Sequence, residues 1–167
     1  MDNGIRLNIA VVTVSDTRTE ETDTSGAVLV QGLQAAGHNL HSKCIVKDDV
    51  YRLRELVSRL IADETVHAVL MTGGTGFTSR DNTQKAVQLL FDNHIEGFGE
   101  LFRQLSWSEI GSSTIQSRAF AGLANDTIIF CLPGSPGACR TGWEKIIREQ
   151  LSSNHKPCNF ATKLKQM

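Results

Sequence analysis

Three short, almost entirely apolar segments constrain the fold of this chain more than any other feature of its sequence. They are Leu7–Val14, His67–Thr72 and Thr127–Leu132. Runs of this length that are rich in β-branched residues, without polar alternation, are typical of strands buried on both faces. Amphipathic helical patterns separate them, and such alternation predicts right-handed crossovers and a mostly parallel sheet. We therefore predict an α/β fold, a three-layer sandwich.

The remaining elements follow from periodicity and from breaker residues. Another strand is predicted over Leu40–Val46, and helices over Ser25–Ala36 (ended by Gly37), Val50–Ala62, Asn82–Phe91, Gly97–Ile110 and Ala138–Leu151. Phe120–Ala124 is predicted to pair with the strand that begins at Thr127 through a tight Asn125-Asp126 turn. This hairpin would place one antiparallel strand in the sheet.

Length, charge and cysteine usage limit the class of protein. The 167 residues fit one domain, with a core over about 7–151 and a polar tail over 152–167. A net charge of -1 argues against nucleic acid as a partner. No apolar run reaches the ~20 residues of a membrane span, and the polar N-terminus lacks the apolar region of a secretory signal. The four cysteines form no C-x-x-C pair or zinc spacing, so we expect reduced thiols and a cytoplasmic location.

Two glycine-rich segments follow predicted strands, Thr72–Gly76 (TGGTG) and Leu132–Gly137 (LPGSPG). Ligands of open parallel sheets bind outside the carboxyl ends of the strands. Glycine lets backbone N–H groups approach an anion, and the helix after each loop presents its N-terminus to the same anion. The pattern predicts a phosphate or carboxylate cradle built from backbone; two ordinary tight turns are the alternative interpretation.

Three common motifs are absent from these loops. No Lys follows either loop at the spacing of a P-loop. Ser79 stands where a dinucleotide fingerprint starting at Gly74 would need its third glycine, and Pro133 stands where a nucleophile elbow around Ser135 would need its first. The missing elbow argues against a small acyl hydrolase.

Two carboxylates are expected at the edge of the sheet that carries the glycine loops. Asp48 follows the second strand, and Asp81 stands at or near the start of the helix after the first loop. Two carboxylates beside a phosphate cradle are what a Mg²⁺-nucleotide site requires. Each aspartate could instead cap its helix, and Asp49 could replace Asp48 in either role.

Polar residues near the loops are further candidates for ligand binding. Ser15, Asp23 and Ser25 follow the first strand and either contact a ligand or form a solvated loop with a helix cap. Arg80 either contacts phosphate or pairs with a surface acid, and Ser117 either lies near a ligand or ends a helix.

The order of several motifs resembles that of a known family. These are Ser15-Asp16, Asp23-x-Ser25-Gly26, Thr72–Gly76 with Arg80-Asp81, Gly97–Glu100, Ser117–Ala119 and Leu132–Pro136. Together they resemble the MoaB/MogA family of molybdenum cofactor biosynthesis proteins, which is related to the G domain of gephyrin. The resemblance covers about residues 7–160, and Arg140–Glu144 and Pro157–Phe160 are similar to the MoaB branch.

This resemblance implies a molybdopterin-binding, MogA-like fold, molybdopterin binding, and adenylylation of the pterin with Mg-ATP. Asp48 and Asp81 match the positions tied to metal binding and catalysis. Positions matched to pterin and nucleotide binding are Ser15, Asp23, Ser25, Gly26, Thr72, Gly73, Gly74, Thr75, Gly76, Arg80, Ser117, Pro133, Gly134 and Ser135. The resemblance also implies a homotrimer or homohexamer, and other molybdenum cofactor biosynthesis proteins as partners.

A second hypothesis is a molybdopterin-binding or carrier protein of the same pathway without catalytic activity. Relatives often have Pro-Asp-Glu where this chain has Lys47-Asp48-Asp49, and Lys where it has Gly137. Because Asp48 and Asp81 are both present, the sequence favours the enzyme, since a binder would not need both.

Overall fold

A computed structural model of the chain describes residues 4–165. Within them, one sheet has the strand order β2-β1-β3-β6-β5-β4. Its strands are β1 (Asn8–Val14), β2 (Asn39–Val46), β3 (Ala68–Thr72), β4 (Asn93–His94), β5 (Phe120–Ala124) and β6 (Thr127–Leu132). β2, β1, β3 and β6 are parallel, whereas β5 runs antiparallel to β6 and β4. The predicted α/β fold is confirmed.

Helices cover both faces of the sheet. They are α1 (Thr24–Ala35), α2 (Val50–Ala62), α3 (Thr83–Val87), α4 (Glu96–Ile110), α5 (Pro136–Gly142) and, after a π-helical turn over Trp143–Ile147, α6 (Arg148–Gln150). Short 3-10 turns span Gln88–Leu90, Gly111–Gln116 and Ala161–Lys163. α1, α4 and α5 contribute to the core on one face, and α2 and α3 to the core on the other.

Strands β3 and β6 are buried at every position. Leu70 and Phe130 point into the core beneath α1, α4 and α5, while Met71 and Ile129 point into the core beneath α2 and α3. Because each face is covered by helices, every position of these strands needs an apolar or hydrogen-bonded side chain. This explains the continuous apolar runs in the sequence.

Two predicted turns are confirmed by their backbone angles. Gly37 ends the first helix region with φ of +86°. Asn125 and Asp126 have φ of 50° and 57°, the left-handed pair that a two-residue hairpin between β5 and β6 requires.

Several predicted elements were wrong in extent. The helix predicted over Asn82–Phe91 is α-helical only over Thr83–Val87 and then tightens into a 3-10 turn. The last helix begins at Pro136, not Ala138, because Ser135 caps it and proline fits the first helical turn. Strand β4 was not predicted, since two polar residues carry no strand pattern.

The C-terminal segment returns to the core. Ala161 and Leu164 are buried against the cluster beneath α1, α4 and α5. Lys165 Nζ donates hydrogen bonds to the carbonyls of Ile61 (2.6 Å) and Asp63 (2.7 Å) at the end of α2. The described part of the polar tail predicted over 152–167 is therefore held by a few buried apolar residues and one lysine; residues 166 and 167 lie outside the described range. No helix within residues 4–165 combines the length and apolar character needed to cross a bilayer.

Candidate functional site

The two glycine-rich loops meet at the carboxyl ends of β3 and β6 and line a cleft of about 360 Å³. Gly73 N donates to the Leu132 carbonyl at 3.0 Å, and Thr72 Oγ1 donates to the Pro133 carbonyl at 2.9 Å. A β-carbon placed on Gly134 would lie 3.4 Å from the Cα of Gly73. The loops therefore form one surface, as the parallel topology predicts.

The first loop depends on two glycines in left-handed conformations. Gly73 has φ of +98° and Gly74 has φ of +67°. Thr83, at the start of α3, donates from Oγ1 to the Gly73 carbonyl (2.9 Å) and from its N–H to the Gly74 carbonyl (3.0 Å). These hydrogen bonds hold a sharp bend that other residues adopt only with strain.

Asp48 is buried beside this bend. Its Oδ1 accepts a hydrogen bond from Asn82 N at 3.0 Å, and its Oδ2 lies 2.8 Å from where a β-carbon of Gly74 would be. Burial raises the pKa of the Asp48 carboxyl, and the nearby carboxylates of Asp16 and Asp81 raise it further, while hydrogen bonds from Asn82 oppose the increase. The ionised form of Asp48 is thus less favoured than that of an exposed aspartate, and a nearby cation would favour it.

Asp81 lines the cleft and covers Gly76. Its Oδ2 accepts hydrogen bonds from Thr78 N (2.9 Å) and Thr78 Oγ1 (2.7 Å). Partial burial raises the pKa of the Asp81 carboxyl, but the hydrogen bonds from Thr78 and Gly76 and the charge of Arg118 outweigh it, so the pKa is lowered from its usual value. Asp81 is therefore ionised at neutral pH.

The structure separates Asp48 from its neighbour Asp49. Asp49 is exposed, and its Oδ1 accepts hydrogen bonds from Tyr51 N (3.0 Å) and Arg52 N (2.9 Å), which caps α2. Of the two acids, it is Asp48 that lies against the glycine loop.

Ser15 and Ser25 both line the cleft. Ser15 Oγ accepts hydrogen bonds from Thr17 N (3.2 Å) and Arg18 N (2.9 Å) and so shapes the turn after β1. Ser25 Oγ donates to the Gly134 carbonyl at 2.7 Å, which ties the start of α1 to the second loop. Ser15 thus shapes one wall of the cleft, and Ser25 connects two of its walls.

Asp23 and Gly26 lie behind the cleft wall. The Asp23 carboxylate is buried, accepts hydrogen bonds from Gly26 N (2.9 Å) and Thr13 Oγ1 (2.7 Å), and has Lys43 Nζ at 3.4 Å. A β-carbon on Gly26 would meet Asp23 Oδ2 at 2.3 Å. This pair fixes the turn between β1 and α1, and neither residue lines the cleft.

Four other sequence-predicted residues also lie outside the cleft lining. Asp48 is one of them, since it lies behind Gly74. Arg80 forms an ion pair with Asp16. Ser135 Oγ accepts a hydrogen bond from Ala138 N at 3.1 Å and caps α5. Ser117 borders a separate cavity of about 450 Å³, and its buried Oγ has no hydrogen-bond partner within residues 4–165.

Three residues that were not predicted to bind a ligand belong to this region. Arg18 and Gln116 line the cleft. Arg118 lies behind the loop, where its Nε donates to the Thr75 carbonyl at 3.1 Å, its Nη2 donates to the Gly76 carbonyl, and its guanidinium lies 4.6 Å from the Phe77 ring centroid. For Arg18 and Arg118 the available signal was a basic residue close in sequence to a candidate serine.

The acids suit a hard divalent cation that also binds a phosphate ligand. Within residues 4–165, no group of three or more His, Cys, Asp or Glu side chains could hold a metal ion unaided. Mg²⁺ is commonly bound by one or two carboxylates, with substrate phosphates and water as the other ligands. Asp48 and Asp81, next to Gly74 and Gly76, could supply two such carboxylates.

Comparison with known proteins gives a consistent set of similarities. Residues 10–153 match the family model described as "Probable molybdopterin binding domain". Molybdenum cofactor biosynthesis protein B of Escherichia coli strain K12 is 53% identical over 162 residues, which is 97% of this chain and 95% of that protein. A crystal structure of molybdenum cofactor biosynthesis protein B has a TM-score of 0.85 at 47% identity, over 88% of this chain and 92% of that chain. A structure of MogA has a TM-score of 0.75 at 26% identity, over 81% of this chain and 89% of the other.

Proposed function

Because the chain belongs to the molybdenum cofactor biosynthesis protein B family and carries its molybdopterin-binding domain, we propose that it adenylylates molybdopterin with Mg-ATP. The observation that carries this proposal is the placement of two acids against one glycine-rich loop. Asp48 lies against Gly74, and Asp81 lies against Gly76, where it lines the cleft. Two carboxylates next to a backbone phosphate cradle support phosphoryl chemistry more directly than simple retention of a ligand.

In the proposed reaction, an oxygen of the terminal phosphate of molybdopterin attacks the α-phosphorus of ATP. A new P–O bond forms, the bond from the α-phosphorus to the oxygen bridging to the β-phosphorus breaks, and pyrophosphate leaves. A phosphate nucleophile is already ionised at neutral pH, so no histidine base is required. The glycine loops contribute by positioning the two phosphates and by directing backbone N–H groups at the developing charge.

Asp48 and Asp81 would hold Mg²⁺ at the cleft. When bound with ATP, Mg²⁺ neutralises charge on the phosphate oxygens. Asp81 is prepared for this role because its hydrogen bonds from Thr78 keep it ionised. Asp48 is held by the hydrogen bond from Asn82 N to its Oδ1, and a bound cation would add positive charge beside it.

The test is a direct assay of the purified protein with molybdopterin and Mg-ATP. We expect pyrophosphate release in step with adenylylated pterin, and Asp81→Asn should lower the rate by at least about a hundredfold. Asp49→Asn is the matched control, because asparagine caps a helix about as well as aspartate and this acid lies away from the loop.

The outcomes of this assay separate the two functions. A protein that retains molybdopterin but releases no pyrophosphate would be a binding or carrier protein, and the enzyme proposal would fail. If the control Asp49→Asn reduced the rate as strongly as Asp81→Asn, Asp49 would also be a functional acid.

We also propose that the protein assembles as a homotrimer or homohexamer. Phe98 and Phe102 of α4 are buried in the core of their own chain, but Trp107 and Ile110 at its end are 61% and 51% exposed. Ile115, in the following turn, is 75% exposed. Burial of these large apolar side chains would favour self-association. Light scattering coupled to size exclusion should give three or six times the mass of one chain.

A further inference from the structure

The lining of the cleft between the glycine loops contains few charged side chains. Its lining consists mostly of glycines, hydroxyl residues and backbone, and its charged members are Asp81 and Arg18. Asp81 is ionised and repels an anionic ligand. Arg18 is the positively charged side chain of this lining, so it is the side chain that attracts an incoming phosphate.

Arg18 is held in place from both ends. Its backbone N–H donates to Ser15 Oγ at 2.9 Å, and its Nη1 donates to the Thr22 carbonyl at 2.6 Å. Thr22 is itself fixed, since its Oγ1 accepts a hydrogen bond from Thr19 N at 2.9 Å. The turn after β1 thus orients the arginine although the residue is exposed.

One nitrogen of the guanidinium is occupied and the others are available. Within residues 4–165, the bond to Thr22 accounts for the hydrogen bonding of this guanidinium. A guanidinium has five N–H donors in a planar fork that matches two oxygens of a phosphate. With one nitrogen anchored, the loss of side-chain freedom on binding is reduced.

We propose that Arg18 binds phosphate oxygens of the ligand in this cleft and helps to set its preference for phosphorylated compounds. The inference rests on the proposed function, in which ATP and molybdopterin both bring phosphate to the loops. The ligand recognised is a phosphate group, which either substrate can supply.

The experiment measures dissociation constants by calorimetry for ATP, adenosine, inorganic pyrophosphate and molybdopterin, each with Mg²⁺. We expect Arg18→Gln to raise the constant for ATP about tenfold, as for one lost charge-assisted contact, and to change the adenosine constant less than twofold. Arg18→Lys should recover part of the affinity because it keeps the charge but not the fork. The effect should shrink at high salt, since the side chain is exposed.

Arg6→Gln is the control, because it removes the same charge before β1, at the opposite edge of the sheet. The ATP and molybdopterin arms identify the source of the phosphate: the ligand whose affinity falls is the one that Arg18 contacts. If Arg18→Gln binds every phosphate ligand as tightly as Arg6→Gln, or weakens adenosine as much as ATP, the inference is wrong. It is also overturned if the wild-type protein binds none of the phosphate ligands. Wild-type protein that binds ATP or pyrophosphate in an Arg18-dependent way but adenylylates nothing would retain the inference and refute the enzyme.

Discussion

The Asp48 carboxylate lies so close to Gly74 that a β-carbon at position 74 would meet its Oδ2 at 2.8 Å. The same β-carbon would lie 2.3 Å from Thr83 Oγ1, the hydroxyl that holds the preceding carbonyl of the loop. The glycine loop, the Asp48 carboxylate and the start of α3 are thus packed around one Cα hydrogen of Gly74. Each of them constrains the other two.

Gly74→Ala should therefore damage both the fold and the site. Its φ of +67° disfavours alanine, and the new methyl group would displace Asp48 or Thr83. We expect a loss of at least about 2 kcal/mol in the free energy of unfolding, measured by denaturant titration, and loss of pyrophosphate release. Gly137→Ala is the matched control: nothing lies within 4 Å of its β-carbon position, so stability should change by less than about 1 kcal/mol.

Asp48→Asn should stabilise the protein while it abolishes activity. Burial raises the pKa of this carboxyl, so the folded state binds its proton more tightly than the unfolded state does, and stability falls as pH rises above the usual carboxyl value of 3.8. The asparagine oxygen can still accept the hydrogen bond from Asn82 N. An increase of about 1 kcal/mol in the free energy of unfolding would raise Tm by about 2–4 °C at pH 7.

The pH dependence tests this explanation. The difference in Tm between Asp48→Asn and the wild type should be small near pH 3.5, grow as pH rises through the raised pKa, and level off above it. A variant that is less stable than the wild type at neutral pH would show that the ionised carboxylate is compensated within the free protein.

Arg118→Gln should loosen the first glycine loop. The substitution removes the hydrogen bonds to the Thr75 and Gly76 carbonyls and a positive charge that lowers the pKa of Asp81. We expect kcat/KM for adenylylation to fall at least about tenfold, which corresponds to a loss of about 1.5 kcal/mol of transition-state stabilisation because the loop is less well positioned. Arg118→Lys should recover part of this activity.

A second arginine provides the control for this variant. Arg54 also holds two successive carbonyls, from Nε to Ala86 (3.2 Å) and from Nη2 to Lys85 (3.3 Å), but at α3 rather than at the loop. Arg54→Gln should lower Tm to a similar extent and leave kcat/KM near the wild-type value. Equal losses of activity in both variants would mean that Arg118 acts only through global stability.

His67→Gln should reduce the sensitivity of the fold to mild acid. Burial lowers the pKa of this imidazole, the positive charge of Lys165 lowers it further, and Nδ1 accepts a hydrogen bond from Asn8 N at 2.8 Å. The unfolded chain therefore takes up a proton more readily, and the stability from neutral His67 is lost as pH falls from about 6.5. Tm measured from pH 7.5 to 5.5 should fall more steeply in the wild type than in the variant; parallel curves would contradict the prediction.

Leu164→Ala tests the role of the C-terminal segment in the core. Leu164 is 3% exposed and packs beneath the same helices as Leu151. Its truncation should lower the free energy of unfolding by about 2–3 kcal/mol, measured by denaturant titration. Lys163→Ala, at an exposed neighbour, should change stability by less than about 0.5 kcal/mol. If Leu164→Ala changed stability as little as Lys163→Ala, the segment would contribute little to the core.

The sheet could be predicted because strands buried on both faces appear in the sequence as continuous apolar runs. Leu70 and Met71 point to opposite cores, so neither position tolerates a polar side chain, and the run is readable without any structure. Strand β4 contains no such run. Asn93 and His94 are exposed and pair only with β5 at the sheet edge, so tertiary contact rather than local preference makes them a strand.

The site was predictable in its backbone and less so in its side chains. Glycines at the ends of β3 and β6 follow from topology, but which polar side chains reach the cleft depends on turns of irregular shape. Arg18 is brought there by the path of the chain after β1, and Ser117 is directed to another cavity although it adjoins Arg118, which braces the loop. Asp48 and Asp49 could not be told apart by sequence alone, and the distinction came from which of them caps α2.

The mutual contact of the two glycine loops has a thermodynamic consequence. Gly73 N donates a hydrogen bond to the carbonyl at the end of β6. The hydroxyls of Thr72 and Ser25 donate hydrogen bonds to the carbonyls of Pro133 and Gly134, respectively. The backbone of the cleft is consequently ordered when the protein folds, not when a ligand arrives. Little conformational entropy should remain to be lost on binding, so even a small phosphate compound can be held without closure of a lid.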